Sequence, residues 1–219
     1  TFDDADLTLT LDGGINLITS EVEVEKRNET TYTIKGLTFL QDSEGEYTLT
    51  VNGAGIEDNA GNATANNIST TWELDLTNPL SASNIQVSTT PVSELSLFSV
   101  SFATLNEYGQ FRVNSQDITI TGDLPEANLQ VYLTDATTGE SLTQADVTDT
   151  SFTGDIELSG AGSRTVELRL VDEAGNDSIG TIALFADVTQ PVILDFLNVP
   201  DTPTLDPISN IDVQFSEAI

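Results

Sequence analysis

The chain holds no cysteine, no methionine and no histidine among its 219 residues. Without cysteine there are no disulfide staples and no thiol catalysis. Without histidine as well, the usual zinc sites and imidazole acid–base chemistry are excluded. Basic residues are scarce: six Lys and Arg stand against 36 Asp and Glu, a formal net charge of −30. A surface of that sign repels nucleic acid and anionic membranes, so neither is expected as a partner. No apolar run approaches the length of a bilayer span, so membrane insertion is not expected, and no signal peptide is visible. There is no nucleophile elbow, and no pair of carboxylates stands out among so many acids, so an enzyme is not expected.

What is present is strand after strand. "DLTLTLDGG" (6–14) alternates and closes on an Asp-Gly-Gly turn, and "EVEVEK" (21–26) alternates charge with valine. "TYTIKGL" (31–37), "GEYTLTVNG" (45–53) and "STTWELDL" (69–76) follow in the same style. From residue 84 the pattern continues through "NIQV", "LFSVSF", "QDITITG", "LQVYLTD", "GDIELSG", "RTVELRLVDEAGN" and "IGTIALFAD". Thr, Val, Ile and Tyr suit a pleated, half-buried surface. Helix is tempting only near Glu140–Asp146 and Leu105–Tyr108, and neither stretch is long enough to hold by itself. Trp72, Phe39, Tyr47, Phe98, Phe102, Tyr132, Phe185 and Phe215 are spaced as core residues. The expected class is all-β, with strand spacing that suits β-sandwiches.

Two short motifs recur in the same order. "DNAGN" (58–62) returns as "DEAGN" (172–176), and "DLTNP" (75–79) returns as "DVTQP" (187–191). Each copy runs strand, Asp-x-Ala-Gly-Asn, strand, Asp-x-Thr-x-Pro, which is the mark of a repeated structural unit. Proline lacks a backbone donor and fixes φ, so each Asp-x-Thr-x-Pro is expected to end a strand and open a short, stiff linker. The predicted division is 1–79, 80–191 and 192–219. The middle piece has enough strands for a whole sandwich, whereas the first is short by about two. The last piece is too small to fold alone. Its two strand candidates, "VILDFLNV" (192–199) and "IDVQF" (211–215), supply the deficit.

These residues resemble the bacterial immunoglobulin-like repeats of very large secreted surface proteins and adhesins. The resemblance rests on "VQFSEAI" (213–219), "ADLTLTLDGG" (5–14), "YTIKGLTFL" (32–40), "EYTLTVNGAGIEDNAGN" (46–62) and "DLTNP" in one sandwich type. A related type is carried by "QDITITGDLPEANLQVYL" (116–133), "RTVELRLVDEAGN" (164–176) and "DVTQP". In such repeats the "FSE" strand opens the domain that "DLTL" continues. Here the opening lies at the far end of the chain from its continuation. The resemblance therefore implies tandem immunoglobulin-like sandwiches, with residues 192–219 completing the first domain of the next copy. Closure within one chain is excluded by reach: a two-residue linker at about 3.5 Å per residue cannot bridge a sandwich length of roughly 35–45 Å. Head-to-tail contact between identical copies remains, either along one covalent tandem chain or between separate strand-donating subunits.

The expected role is a structural repeat or subunit of an extracellular filament or adhesin stalk. The alternative is a ligand- or carbohydrate-binding adhesin module. Calcium is the expected cofactor, with Asp58, Asn62 and Asp75 as one set of oxygen donors and Asp172, Asn176 and Asp187 as the second. The competing reading makes both motifs plain turns, with Gly61 and Gly175 at positive φ. "DDAD" (3–6), taken with Glu217, is a further acidic cluster whose simpler reading is a solvated loop.

Overall fold

The computed structural model describes residues 2–89, 107–136, 138, 140–199 and 208–217. The described chain is all-β, with two short 3-10 turns, Asp4–Asp6 and Leu37–Leu40. No helix among the described residues is long and apolar enough to cross a membrane. Contacts divide the chain into two compact units: residues 1–80 with the turn 171–178, and residues 81–170 with 179–219.

The first unit contains β1 (Leu7–Leu11), β2 (Glu23–Lys26), β3 (Tyr32–Lys35), β4 (Gly45–Val51) and β5 (Ile68–Leu74). Strands β1, β4 and β5 form one antiparallel sheet in that order, and β2 and β3 form a separate ribbon. The register sets Leu9 opposite Leu49, and Tyr47 opposite both Leu11 and Trp72. The period-two alternation places Leu7 and Leu9 on one face of β1, where both are buried. The edge of β1 is capped locally: the Asn16 side chain accepts the Leu9 N–H at 3.0 Å, and the Leu17 N–H donates to the Leu9 carbonyl at 2.8 Å.

The second unit contains β6 (Ser83–Thr89), β7 (Phe111–Val113), β8 (Asp117–Asp123), β9 (Gln130–Asp135), β10 (Glu140–Gln144), β11 (Asp146–Thr148) and β12 (Ser151–Glu157). It also holds most of β13 (Gly162–Val171) and β14 (Asp177–Ala186), followed by β15 (Ile193–Leu197) and β16 (Asp212–Phe215). A five-stranded sheet in the order β10-β9-β13-β14-β7 and a four-stranded sheet in the order β11-β12-β8-β6 share one hydrophobic core. Ile118, Ile120, Phe152 and Ile156 enter it from the smaller sheet, and Val131, Leu133, Val166, Leu168 and Leu184 from the larger. Strands β8, β9 and β12 alternate buried with less buried positions at every residue, as expected when two sheets pack face to face. Strand β7 pairs parallel to β14, with Phe111 opposite Leu184. Strands β15 and β16 form a ribbon that groups with this unit in the single chain.

The tempting helix near Glu140–Asp146 is strand: β10 pairs with β9, and β11 begins at Asp146. The expected aromatic core divides. Tyr47 is buried, and Trp72, Tyr132 and Phe185 are half-buried. Phe39, in the Leu37–Leu40 turn, is 78% exposed, and Phe215 on β16 is 39% exposed, which corrects the core assignment for both. Among the described residues, no layer covers either ring. Phe98 and Phe102 lie outside the described residues, as does the expected strand "LFSVSF".

The two units differ sharply in how much apolar surface they cover. Among the described residues, eighteen buried hydrophobic residues form the second unit's core. The first unit buries four, namely Leu7, Leu9, Val22 and Tyr47, while Ile15, Phe39 and Ile68 stand 82%, 78% and 72% exposed. At about 25 cal/mol per Å² of covered apolar surface, so small a core supplies little of the stability that a domain needs.

Candidate functional site

Both Asp-x-Ala-Gly-Asn segments fold into the same turn. Asp58 Oδ1 accepts the backbone N–H groups of Ala60 and Asn62, each at 2.8 Å, and its Oδ2 accepts the Asn62 side-chain amide at 2.8 Å. The Asp58 N–H donates to the Asn62 carbonyl at 3.0 Å, and the Gly61 N–H donates back to Asp58 at 3.1 Å. Asp172 repeats the pattern. Its Oδ1 accepts Gly175 N–H at 2.7 Å and Asn176 N–H at 2.8 Å, and its Oδ2 accepts the Asn176 amide at 3.0 Å. Gly61 and Gly175 sit at φ 85° and 95°, which explains the glycine in each copy.

The strand ends match as well. Asp75 Oδ1 accepts the N–H of Thr77 at 2.9 Å, and Asp187 Oδ1 accepts that of Thr189 at 3.3 Å. In both, the aspartate folds the Asp-x-Thr over its own carboxylate, as Asx turns do. The Asp187 N–H also donates to the Val113 carbonyl at 2.9 Å.

These turns hold their carboxylates ionised. The Asn62 side-chain amide, then the Asn62 backbone N–H, lower the Asp58 pKa below its ordinary value, against a smaller desolvation. Desolvation pushes Asp172 up, but the Asn176 side chain and the backbone N–H groups of Asn176, Gly175 and Ala174 outweigh it, and its pKa also falls.

The six residues expected to bind calcium in two sequence-local sets are brought together differently. Asn176, besides closing its own turn, donates its side-chain amide to the Asp75 backbone carbonyl at 3.1 Å, within the first unit. Asp172 and Asn176 form one pair, which reaches the Asp75 backbone carbonyl, Asp58 and Asn62 form the other, and Asp187 bonds to neither pair. Sequence reading missed this link because it terminates on a backbone oxygen. Calcium takes six to eight oxygens. Here both oxygens of Asp58 and of Asp172 already receive N–H donors, and the two asparagines present their amide N–H groups to them. No group of three or more acidic side chains that could hold a metal ion is found among the described residues. As placed, these residues form hydrogen-bonded turns.

"DDAD" is also a capped turn. Asp3 Oδ1 accepts Ala5 N–H, and Asp6 Oδ2 accepts Asp3 N–H, each at 3.0 Å. Glu217 belongs to the second unit.

The β15–β16 ribbon is the other unusual element. Its register sets Ile193 opposite Phe215 and Phe196 opposite Val213, with a bulge between Ile193 and Asp195. Cross-strand partners share a face, so Ile193, Phe196, Val213 and Phe215 lie together. All nine residues of the ribbon are exposed, Phe196 at 58%. Val192 and Ser216 close it, with the Ser216 N–H donating to the Val192 carbonyl and the Val192 N–H to Ser216 Oγ, each at 2.9 Å. A two-stranded ribbon is marginal in water unless its apolar face is covered. Compared with known proteins, the chain matches no family model, no curated protein and no solved structure.

Proposed function

We propose that the chain is a structural repeat of an extracellular filament or adhesin stalk, assembled head-to-tail. In this reading the β15–β16 ribbon of one copy lies against the first unit of the next and completes an immunoglobulin-like sandwich there. The observation that carries it is a mismatch: one segment exposes a whole apolar strand face, and a unit of about ninety residues buries only four hydrophobic side chains among those described. Exposed apolar patches of this kind mark interaction sites, and strand donation satisfies backbone groups and apolar faces together.

Tyr47 supports the immunoglobulin-like part of the reading. Its ring is buried and its hydroxyl donates to the Ser43 carbonyl four residues upstream, at 2.8 Å. A tyrosine so placed at a strand start is a hallmark of these sandwiches. The repeated turns support a chain built from two related domains. An end that fits the beginning of an identical copy does not close on itself, so the contact propagates as a line. Calcium at the Asp-x-Ala-Gly-Asn and Asp-x-Thr-x-Pro turns, stiffening the linkers, belongs to the same reading and is tested by chelation.

Sedimentation velocity over a concentration series tests the reading. A ladder of oligomers growing with concentration is expected, and the double variant V213D/F215D is expected to remain monomeric while keeping its strand circular dichroism. A wild-type chain that stays monomeric to millimolar concentration would overturn the proposal. The denatured mass of native material then separates discrete subunits, near 23.4 kDa, from a covalent tandem chain many times larger.

A further inference from the structure

The repeated motifs align the two units strand by strand. Strands β4 and β5 flank the first Asp-x-Ala-Gly-Asn, as β13 and β14 flank the second. Strand β1 lies beside β4 as β9 lies beside β13. Between those strands the chain makes an antiparallel ribbon, β2–β3 in the first unit and β11–β12 in the second. Each Asp-x-Thr-x-Pro leads into an antiparallel pair: β6 with β8 after Pro79, and β15 with β16 after Pro191. Both pairs carry a register shift in the first strand, between Ser83 and Gln86 and between Ile193 and Asp195. Strands β7 and β10 are additions at the two margins of the larger sheet. One pairing is left without a counterpart. In the second unit β8 joins β12 along its whole length, from Asp117 opposite Glu157 to Asp123 opposite Ser151. The equivalents, β16 and β3, end in separate two-stranded sheets.

We infer that β16 of one copy pairs antiparallel with β3 of the next, joining two ribbons into a four-stranded sheet β15-β16-β3-β2. That order reproduces β6-β8-β12-β11, the ABED order of immunoglobulin-like sandwiches. The inference rests on the proposed function and adds to it the receiving strand and the register. Side-chain faces fix the register. Val24 lies opposite Ile34, and Tyr32 shares the face of Ile34 two residues away. On β16, Val213 and Phe215 share a face likewise. Setting Val213 opposite Ile34 brings Phe215 opposite Tyr32. On the other face it brings Gln214 opposite Thr33 and Asp212 opposite Lys35. Two apolar pairs and one opposite-charge pair result, each of a kind that stabilises antiparallel strands. A one-residue slip turns Val213 and Phe215 to the opposite face of the sheet. A two-residue slip sets one of them against Gly36 or Thr30. The open β5 margin is not the receiving edge. Its equivalent, β14, borders β7, whereas β8 and β6 lie in the other sheet.

The chain has no native cysteine, so disulfides can read the register on the full chain. The double variant Thr33→Cys/Gln214→Cys puts two thiols at facing positions, close enough to bridge in an antiparallel pair. Oxidised, it is expected to give a covalent ladder on a denaturing gel, whereas either single variant stops at dimers. Thr31→Cys/Gln214→Cys and Lys35→Cys/Gln214→Cys report the two-residue slips, and Thr71→Cys/Gln214→Cys reports the β5 margin. The Thr33 pair should exceed each of these at least about tenfold, because docking raises the local thiol concentration at the facing positions. Should the cysteines themselves prevent association, a charge exchange decides. Lys35→Asp should weaken association in sedimentation about threefold, and adding Asp212→Lys should restore it. A loss that came only from the Lys35–Glu25 ion pair would not be rescued, and the pairing would fall. Wild-type oligomers in sedimentation without a covalent ladder from the Thr33 pair overturn this inference and leave ribbon docking standing. A stronger ladder from the Thr31 or Lys35 pair overturns the register, and one from the Thr71 pair overturns the receiving strand. A disulfide closed within one chain, or a wild-type chain that never associates, overturns both readings.

Discussion

Tyr47 and Trp72 stack across β4 and β5 with ring centroids 6.0 Å apart and planes 12° from parallel. Both polar tips turn to the segment before β4. The Tyr47 hydroxyl donates to Ser43, and Trp72 Nε1 donates to Gln41 Oε1 at 2.7 Å, while Gln41 Nε2 donates to Leu37 at 3.1 Å. In a unit with so little core, this pair organises one side of the sheet and the loop above it together.

Tyr47→Phe keeps the ring and removes one hydrogen bond to a carbonyl, so a loss of about 1 kcal/mol is expected. Tyr47→Ala also removes the buried ring and should cost about 3–5 kcal/mol. Trp72 is the sole tryptophan. Its fluorescence during urea unfolding therefore reports on the first unit, and equal midpoints for the two variants would refute this assignment.

The repeated turns make a pH prediction. Asp58 titrates below its ordinary value because its ionised form accepts the bonds from Asn62. Its contribution is fully present above the unfolded carboxylate pKa, about 3.9, and is lost as pH falls through the lower folded value. Carboxyl carbon NMR should show this depressed titration, and Asn62→Ala should shift it upward toward the ordinary value. An Asp58 that titrates alike in both chains would show that the amide does not set it.

Gly122 on β8 is a packing constraint. A Cβ there would stand 2.7 Å from Ile85 Cδ1 and 2.7 Å from Phe152 Cε1, and 3.1 Å from the Ser83 carbonyl oxygen. Gly122→Ala should therefore destabilise the second unit by about 1–3 kcal/mol. Thermal unfolding followed by circular dichroism checks it, and an unchanged midpoint would mean that β6 shifts without cost.

Chelation tests the chemistry of the turns. With calcium at these turns, limited proteolysis at residues 75–80 and 187–192 is expected to speed up when a chelator is added, and an unchanged rate would count against calcium there.

Much of the fold is legible from period alone. Strands β8, β9 and β12 alternate apolar with polar residues because one face of each meets a second sheet. Strand β7 is three residues long and finds its partner in β14, far along the chain, so no local pattern announces it. "ESLTQ" in β10 has too few apolar residues to alternate. Phe39 carries the apolar signal of a core residue but stands at 78% exposure. Composition reports that a side chain is apolar, and cannot report whether its covering layer lies in the same chain. At the site, the repeated turns could be read from their residues, whereas the re-pairing of Asp75 with Asn176 could not. A backbone carbonyl has no identity in the alphabet of side chains.

The asparagine that caps β1 has a consequence for edge pairing. With the Leu9 N–H held by Asn16 Oδ1 and the Leu9 carbonyl taken by the Leu17 N–H, this position offers an incoming strand neither donor nor acceptor. A strand arriving along that side is stopped at one residue, as a zip stops at a stitched tooth. Of the β1-β4-β5 sheet, only the β5 margin is left without a neighbour or a stitch among the described residues. Edge-to-edge addition to this sheet is thereby limited to the β5 side.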